Sequence, residues 1–345
     1  MGLIDLPRDV LVSLPDYLDN IEDFTNASSS CRTLRHSFAG THPNRIIRLA
    51  AASSRVFFRP DPWFLVAATA RQVGQWGLKS QENTEALRDA FRGGIENLKE
   101  LCIDVAGLTI EDIRRLHASR FETIYPVADL IDRMAGAQWY STPDFWDGGV
   151  SDAYTVDCEP LKAVFHFAIY GELFESTLQS WLEPEKGLPR FDLATRLDYI
   201  RYCIPDWIFY LERTGLGAPQ REKGPYMNEA DVNNIPGWGA ALRHILSCGR
   251  WNRPWAAIRQ QVGPEWEEDS WRQQLWVQAA QIHGLAGLEM LVPGGEEKWR
   301  ARLSDIRARV AAMEAEPEVQ RFGQLRKGAS DCPDLNRELF VVIGM

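Results

Sequence analysis

The stretch LPRDVLVSLPDYLDNIEDFTNASSSCRTLRHSF, from Leu6 to Phe38, has the spacing of three short helices. Pro7 suits the first turn of a helix, where a backbone N–H is not needed. The first helix then presents aliphatic residues along one face: Val10, Leu11, Leu14 and Leu18. Asn20 is expected to cap the second helix, and the third is expected to begin near Ser30.

A proline at position 15 predicts a break in the first helix. Proline lacks the backbone N–H and its ring clashes with the preceding turn, so the helix should bend after Leu14. Helices this short are marginal in isolation and cannot bury so much apolar surface among themselves. The segment must therefore pack against the rest of the chain or against a partner.

Helix signals continue beyond a break at residues 39–43. Asp61 and Pro62 read as an N-cap and a first helical residue, and Thr109-x-x-Asp112 resembles a capping box. Ser80 precedes an apolar stripe at helical spacing, made by Leu87, Phe91, Ile95, Leu98 and Leu101. Further helices are expected from Glu159-Pro160 to about Leu182, from Phe191 to Arg213, and over Pro264–Met290 and Glu296–Glu314.

Strand-like alternation is nearly absent, so we predict an all-α protein. A short N-terminal trihelical module, residues 1–43, precedes a large irregular helical domain, residues 44–345. This division is consistent with a chain of 345 residues that is 45% hydrophobic.

Charge and composition narrow the classes of partner. With 38 basic and 48 acidic residues the net charge is −10, which disfavours nucleic acid and anionic lipid. No apolar run approaches the roughly 20 residues of a membrane helix, and no signal-peptide pattern is present, so we expect an intracellular protein, cytoplasmic or nuclear. No metal-ligand spacing and no phosphate-binding glycine loop occurs, so we expect neither a metal nor a cofactor.

The opening segment is similar to an F-box, an adaptor-docking module of ubiquitin ligase subunits. The resemblance rests on Leu6-Pro7, Val10-Leu11, Leu14, Tyr17-Leu18, Asp23-Phe24 and Cys31-Arg32-x-Leu34-Arg35-x-x-Phe38. The later stretches Ile113–His117 and Phe145–Gly149 resemble the helical C-terminal regions of filamentous-fungal F-box proteins.

The resemblance implies a non-catalytic substrate receptor that docks a Skp-type adaptor and thereby joins a cullin–RING ubiquitin ligase. Leu34 and Phe38 would hold the three helices together. The resemblance places the adaptor interface at or near Leu6, Pro7, Val10, Leu11, Leu14 and Leu18. The helical domain would then recruit an unknown protein substrate.

Two further regions are candidates for binding a substrate or ligand. The loop over residues 147–157 offers Asp147, Asp152, Tyr154 and Asp157, although a turn fixed by its Asp side chains explains the same pattern. Trp251 and Trp255 lie among arginines, which is the composition both of interface hot spots and of ordinary helical cores.

The main alternative is an all-helical enzyme or small-molecule-binding protein whose N-terminal helices only resemble an F-box. A polar pocket lined by His117, by His166 or by the 147–157 loop would favour it. A scaffold that binds the adaptor without ligase activity is a third possibility.

Overall fold

The computed structural model describes residues 2–52, 61–130, 160–203, 249–267, 270–281, 283–294 and 296–317. Within these ranges the regular structure is entirely helical, which confirms the all-α prediction. The α-helices are α1 (Arg8–Ser13), α2 (Ile21–Ser30), α3 (Arg32–Phe38), α4 (Pro43–Ala52), α5 (Trp63–Gly77), α6 (Gln81–Arg92), α7 (Gly94–Val105), α8 (Ile110–Ser119), α9 (Pro160–Leu182), α10 (Leu193–Cys203), α11 (Gly249–Gln260), α12 (Trp271–Gln281), α13 (Gly284–Leu288) and α14 (Glu296–Ala312). Short 3₁₀ helices span Leu3–Asp5, Leu14–Tyr17, Pro184–Lys186 and Glu289–Leu291, and a π-helical turn, Arg120–Ile124, follows α8.

Helices α1 to α3 form a small trihelical unit, and the predicted bend at Pro15 is present. Helix α1 ends at Ser13, and the chain continues as the 3₁₀ helix Leu14–Tyr17. The Asn20 side chain accepts a hydrogen bond from the backbone N–H of Asp23, as expected of an N-cap. Its buried apolar residues, Leu11, Ile21, Phe24, Leu34 and Phe38, belong to the same core cluster as the apolar residues of the following helices.

Arg45 in α4 fastens this unit to the following helices. Its guanidinium donates to three main-chain carbonyl oxygens around the 3₁₀ helix: Pro15 (3.0 Å), Asp16 (2.7 Å) and Leu18 (2.9 Å). Helix α4 packs on α2 on one side and on α7 on the other. The Asp16 and Leu18 carbonyls thereby gain a donor, and the Pro15 carbonyl, which also accepts from the Leu18 N–H (3.4 Å), gains a second one.

Helices α5 and α9 make the most extensive packing pair among the described helices. They approach closely at Gly74, where an added Cβ would lie 2.5 Å from the carbonyl oxygen of Leu173. Helix α9 spans the predicted range. Helix α5 begins at Trp63 with Pro62 at the N-cap position, so the expectation that Asp61 caps it is wrong; Asp61 instead pairs with Lys99 at 2.8 Å.

The apolar stripe after Ser80 is divided between two helices. Ser80 caps α6 as expected, by accepting from the N–H of Asn83. Helix α6 ends at Arg92, however, and α7 starts at Gly94, whose φ of +80° is a conformation that only glycine adopts readily. Both helices still bury their apolar faces, because the reversal turns them toward the same core.

The region predicted as one helix over Pro264–Met290 is also divided. Helix α12 begins at Trp271, and Gly284, with φ of +64°, starts the short helix α13. An added Cβ at Gly171 of α9 would lie 2.4 Å from the Gly284 nitrogen, so the two glycines permit contact between these helices. Helix α14 falls within its predicted range. In the ranges described above, no helix has the length and apolar character needed to cross a bilayer.

Candidate functional site

Apolar side chains are exposed mainly in the first helical turns. Across the described ranges six large hydrophobic side chains are exposed, and five of them precede residue 18. These five, here called the N-terminal apolar surface, are Leu3 (52% exposed), Ile4 (57%), Val10 (38%), Val12 (45%) and Tyr17 (79%). Single exposed apolar residues are ordinary, but the concentration of five within residues 3–17 makes this segment a candidate for contact with another molecule.

The residues predicted to contact an adaptor fall into three groups. Pro7 and Val10 are exposed, whereas Leu6, Leu14 and Leu18 are partly buried and pack against the core. Leu11 is only 2% exposed, so the expectation that it faces a partner is corrected. Leu11 lies on the inner side of α1, where it contributes to the hydrophobic core that the described helices share.

Sequence reasoning missed Leu3, Ile4 and Val12 and left Tyr17 out of the interface. The signal for the first two was local. The N–H of Gly2 donates to the Asp5 carboxylate (2.6 Å). This hydrogen bond lies at the start of the 3₁₀ helix Leu3–Asp5, on which Leu3 and Ile4 are exposed. Val12 neighbours Leu11 on a six-residue helix, where a buried residue is flanked by exposed ones.

The other predicted binding residues do not form a surface in the described structure. Asp147, Asp152, Tyr154 and Asp157 lie outside the described residues, as does the side chain of Trp251. Trp255 is fully buried, and its ring centroid lies 5.9 Å from that of Phe167 in α9. The structure therefore assigns Trp255 to the core, so its candidacy as a binding residue is corrected.

His166, considered above as a pocket residue, is held in the core by hydrogen bonds. Its Nε2 accepts from the indole N–H of Trp63 (3.1 Å), so a neutral ring carries its proton on Nδ1. Nδ1 lies 3.2 Å from the Tyr199 hydroxyl, which in turn lies 3.4 Å from the His166 carbonyl oxygen. This arrangement satisfies the ring, and it fixes α9 against α5 and α10. His117 is exposed, beside the ring of Phe121.

A ladder of ion pairs runs along the polar face of α9. Glu172 is buried, and its carboxylate accepts from Arg71 (2.7 Å) and from the backbone N–H of Leu285 (2.8 Å). Burial raises the pKa of Glu172, and the contact with Arg71 offsets part of that rise. Glu175, one turn on, pairs with both Arg71 and Arg302, so α5 and α14 are tied to the same helix.

The ladder continues at the C-terminal end of α9. Arg309 pairs with Asp305 (2.8 Å) and with Glu183, which also accepts from Lys186 (2.7 Å). A cavity of about 150 Å³ lies between these pairs, bounded by α9, α12 and α14. Its aliphatic wall is made by Leu178, Leu182, Ala279 and Ile306. Because His283 also lines it, we call it the His283 cavity.

Comparison with known proteins does not classify the chain: no family model, no curated protein and no solved structure matches it significantly. Within the described residues, no group of three or more His, Cys, Asp or Glu side chains is arranged to hold a metal ion. The features that bear on function are therefore the N-terminal apolar surface and the His283 cavity.

Proposed function

We propose that this chain is a non-catalytic substrate-receptor subunit of an SCF-type, cullin–RING ubiquitin ligase. It would dock a Skp-type adaptor through the N-terminal apolar surface and recruit a protein substrate through the helical domain. The observation that carries the proposal is that, of the six large hydrophobic side chains exposed in the described ranges, five lie in residues 3–17. The F-box-like order of residues from Leu6 to Phe38 supplies the kind of partner.

Burial of these five side chains by a partner would contribute favourably to the free energy of docking. Full burial of a Val, Leu or Ile side chain contributes roughly 1.5–3 kcal/mol, and these side chains are partly buried already. About 1 kcal/mol from each of the five would give about 5 kcal/mol on docking. That contribution is comparable with the ordering and association terms that binding must overcome, so these residues can serve as anchors of an interface.

The trihelical unit is suited to present this surface rigidly. The stacked rings of Phe24 and Phe38, with centroids 5.1 Å apart, fix α2 against α3. Arg45 holds the 3₁₀ helix that carries Tyr17. A surface organised before binding loses less conformational entropy when the partner arrives.

In the proposed mechanism the chain acts by proximity. It holds the lysines of a substrate near the charged conjugating enzyme and so raises their effective concentration. In this mechanism the chain itself would supply no acid, base or nucleophile. Its contribution to ubiquitin transfer would therefore depend on docking and on substrate binding alone.

Co-expression with a Skp-type adaptor tests this proposal. The variants Val10→Asp and Tyr17→Asp place a charge on exposed positions, so the fold should be preserved. Leu14 and Leu18 are less suitable, because they also pack against the core. We expect the wild-type chain to co-elute with the adaptor and each variant to lose the complex while keeping its melting temperature.

Phe121→Asp is the matched control, since Phe121 is the sixth large hydrophobic residue exposed in the part of the chain that the structure describes, and it lies after α8. It should co-elute as the wild type does. The proposal fails if the wild type does not bind the adaptor, or if the two surface variants bind as well as the control.

The alternative of an all-helical enzyme receives no support from the residues first considered for it. His166 is occupied by core hydrogen bonds, and His117 is exposed. The 147–157 loop lies outside the described residues. Turnover of a substrate by the purified chain alone would favour the enzyme over the receptor.

A further inference from the structure

The 3₁₀ helix Leu14–Tyr17 carries the most exposed member of the N-terminal apolar surface. Tyr17 is 79% exposed, against 38–57% for the other four residues. Tyrosine is enriched among the residues that dominate binding energy at interfaces, because its ring offers a large apolar area with few rotatable bonds. The position of this ring therefore matters to any partner that covers the surface.

Tyr17 lies on the outer side of its 3₁₀ helix. Pro15 is buried and Leu14 packs against the core, whereas Asp16 and Tyr17 are exposed. A 3₁₀ helix has poorer hydrogen-bond geometry than an α-helix, and this one is only four residues long. The backbone that carries Tyr17 therefore depends on contacts from other parts of the chain.

Arg45 supplies such a contact from α4, outside the predicted N-terminal module. Its Nε donates to the Pro15 carbonyl, and its Nη2 donates to the carbonyls of Asp16 and Leu18. These carbonyls lie on both sides of Tyr17 in the chain. The Asp16 carbonyl also shares a planar peptide unit with the Tyr17 nitrogen, so the 2.7 Å hydrogen bond to it acts directly on the backbone of Tyr17.

Helix α4 is itself held by the helices on either side of it. It packs on α2 and on α7, and the Pro43 carbonyl at its start accepts from the N–H of Leu108 (3.1 Å). An added Cβ at Gly107 would lie 2.6 Å from the Cβ of Pro43, so this approach is close. Four apolar residues of α4 are buried: Ile46, Ile47, Leu49 and Ala50. The Arg45 guanidinium is thus presented from a helix that is anchored in the core.

We propose that Arg45 is a positioning residue of the docking surface, which holds the backbone of Tyr17 where the ring meets the adaptor. This role rests on the proposed function. It extends the docking unit beyond residues 1–43 to include α4, so docking depends on a helix of the larger domain. The planar guanidinium donates from two nitrogens at once, which the single ammonium of a lysine cannot do.

The affinity of full-length variants for a Skp-type adaptor, measured by titration calorimetry, tests this role. Tyr17→Ala should weaken binding about fivefold, the factor that corresponds to the contribution given above for one side chain of the surface. Arg45→Met should weaken binding about three- to fivefold, since it should cost no more than the ring it positions. Arg45→Lys keeps the charge but not the planar group, so it should weaken binding at least about twofold. Arg48→Met, at an exposed position on the same helix, should bind as the wild type does.

A double-mutant cycle separates positioning from general destabilisation. In the Tyr17→Ala background, Arg45→Met should weaken binding by less than about 1.5-fold further, because the ring to be positioned is gone. In the Leu3→Ala background it should weaken binding by the full three- to fivefold or so, because Leu3 lies on the separate 3₁₀ helix Leu3–Asp5. A merely structural role would lower the affinity equally in both backgrounds.

Equal effects of Arg45→Met in the two backgrounds would overturn the positioning role and leave the proposed function standing. Wild-type affinity of Arg45→Met, or of Arg45→Lys, would overturn it as well, the second by assigning the effect to charge. If the wild-type chain does not bind the adaptor, the proposed function fails and the docking role of Arg45 fails with it. Circular dichroism shows whether each variant is folded, and Arg45→Lys replaces Arg45→Met in the cycle if the latter unfolds.

Discussion

Replacing Arg45 with methionine should loosen the trihelical unit, because Met keeps an aliphatic stem but has no guanidinium. Three main-chain carbonyls, at Pro15, Asp16 and Leu18, lose the guanidinium as a donor, and the Pro15 carbonyl keeps the N–H of Leu18. A hydrogen bond contributes a net 0.5–1.5 kcal/mol or so, but 30% of the Arg45 side chain is exposed and water can replace part of the loss. We expect a loss of about 1–2 kcal/mol.

The Arg45–Asp16 ion pair adds little to this figure. The charged atoms are 3.9 Å apart, and the Asp16 side chain is 70% exposed. The loss should therefore come from the main-chain carbonyls, and it should be local to the 3₁₀ helix Leu14–Tyr17. Hydrogen exchange over residues 14–18 should accelerate roughly 5–30-fold, the factor that corresponds to 1–2 kcal/mol.

Arg48→Met is the matched control for this measurement. Arg48 also lies on α4, but it is exposed and donates to the side chain of Asn44 (3.0 Å) rather than to the 3₁₀ helix. Its replacement should change the free energy of unfolding by less than about 0.5 kcal/mol. Equal unfolding curves and equal exchange rates for the two variants would refute the role given to Arg45.

Three further outcomes are expected. Gly74→Val should lower the free energy of unfolding, measured in urea, by about 3 kcal/mol, because even a Cβ at this position lies 2.5 Å from a main-chain carbonyl oxygen of α9. Gly40→Ala is the control, since the space around Gly40 is open. A loss at Gly74 no greater than the loss at Gly40 would contradict the close approach of α5 and α9. The folded-state pKa of His283, about 3, lies below its ordinary 6.5, so its contribution to stability is complete above pH 6.5 and is lost as the pH falls toward 3. The free energy of unfolding of His283→Phe should therefore fall less steeply with decreasing pH, by up to about 1.4 kcal/mol per pH unit. An equal dependence of the unfolding free energy on pH in the two proteins would argue against a buried neutral ring. Burial raises the pKa of the Cys102 thiol to about 12. Iodoacetamide should therefore label the partly exposed Cys31 in the folded chain much faster than the buried Cys102. Similar labelling rates would show that Cys102 is accessible.

The features that sequence predicted correctly are local. Asn20, Ser80 and Thr109 cap helices because a short polar side chain can reach a backbone N–H three residues on. Pro15 ends α1 because of its own ring and missing N–H, whatever surrounds it. Such interactions depend on neighbours in the chain, so the sequence alone is sufficient to find them.

The features that were missed depend on tertiary structure. The apolar spacing after Ser80 continues across Gly94, and only the packing of α6 and α7 on the same core reveals the turn there. The His283 cavity brings together α9, α12 and α14, and no short motif joins them. Leu11 and Val10 are neighbours of similar character, yet one is buried and the other exposed, because the position of α1 on α3 decides which side faces inward.

Hydrogen exchange of the chain, alone and with a stoichiometric Skp-type adaptor, tests the central proposal most directly. Bound adaptor should protect amides of the 3₁₀ helix Leu3–Asp5 and of α1 through Tyr17, while α9 and α14 should exchange as in the free chain. Failure to form a complex, or protection on α9 and α14 with residues 3–17 unchanged, would contradict it.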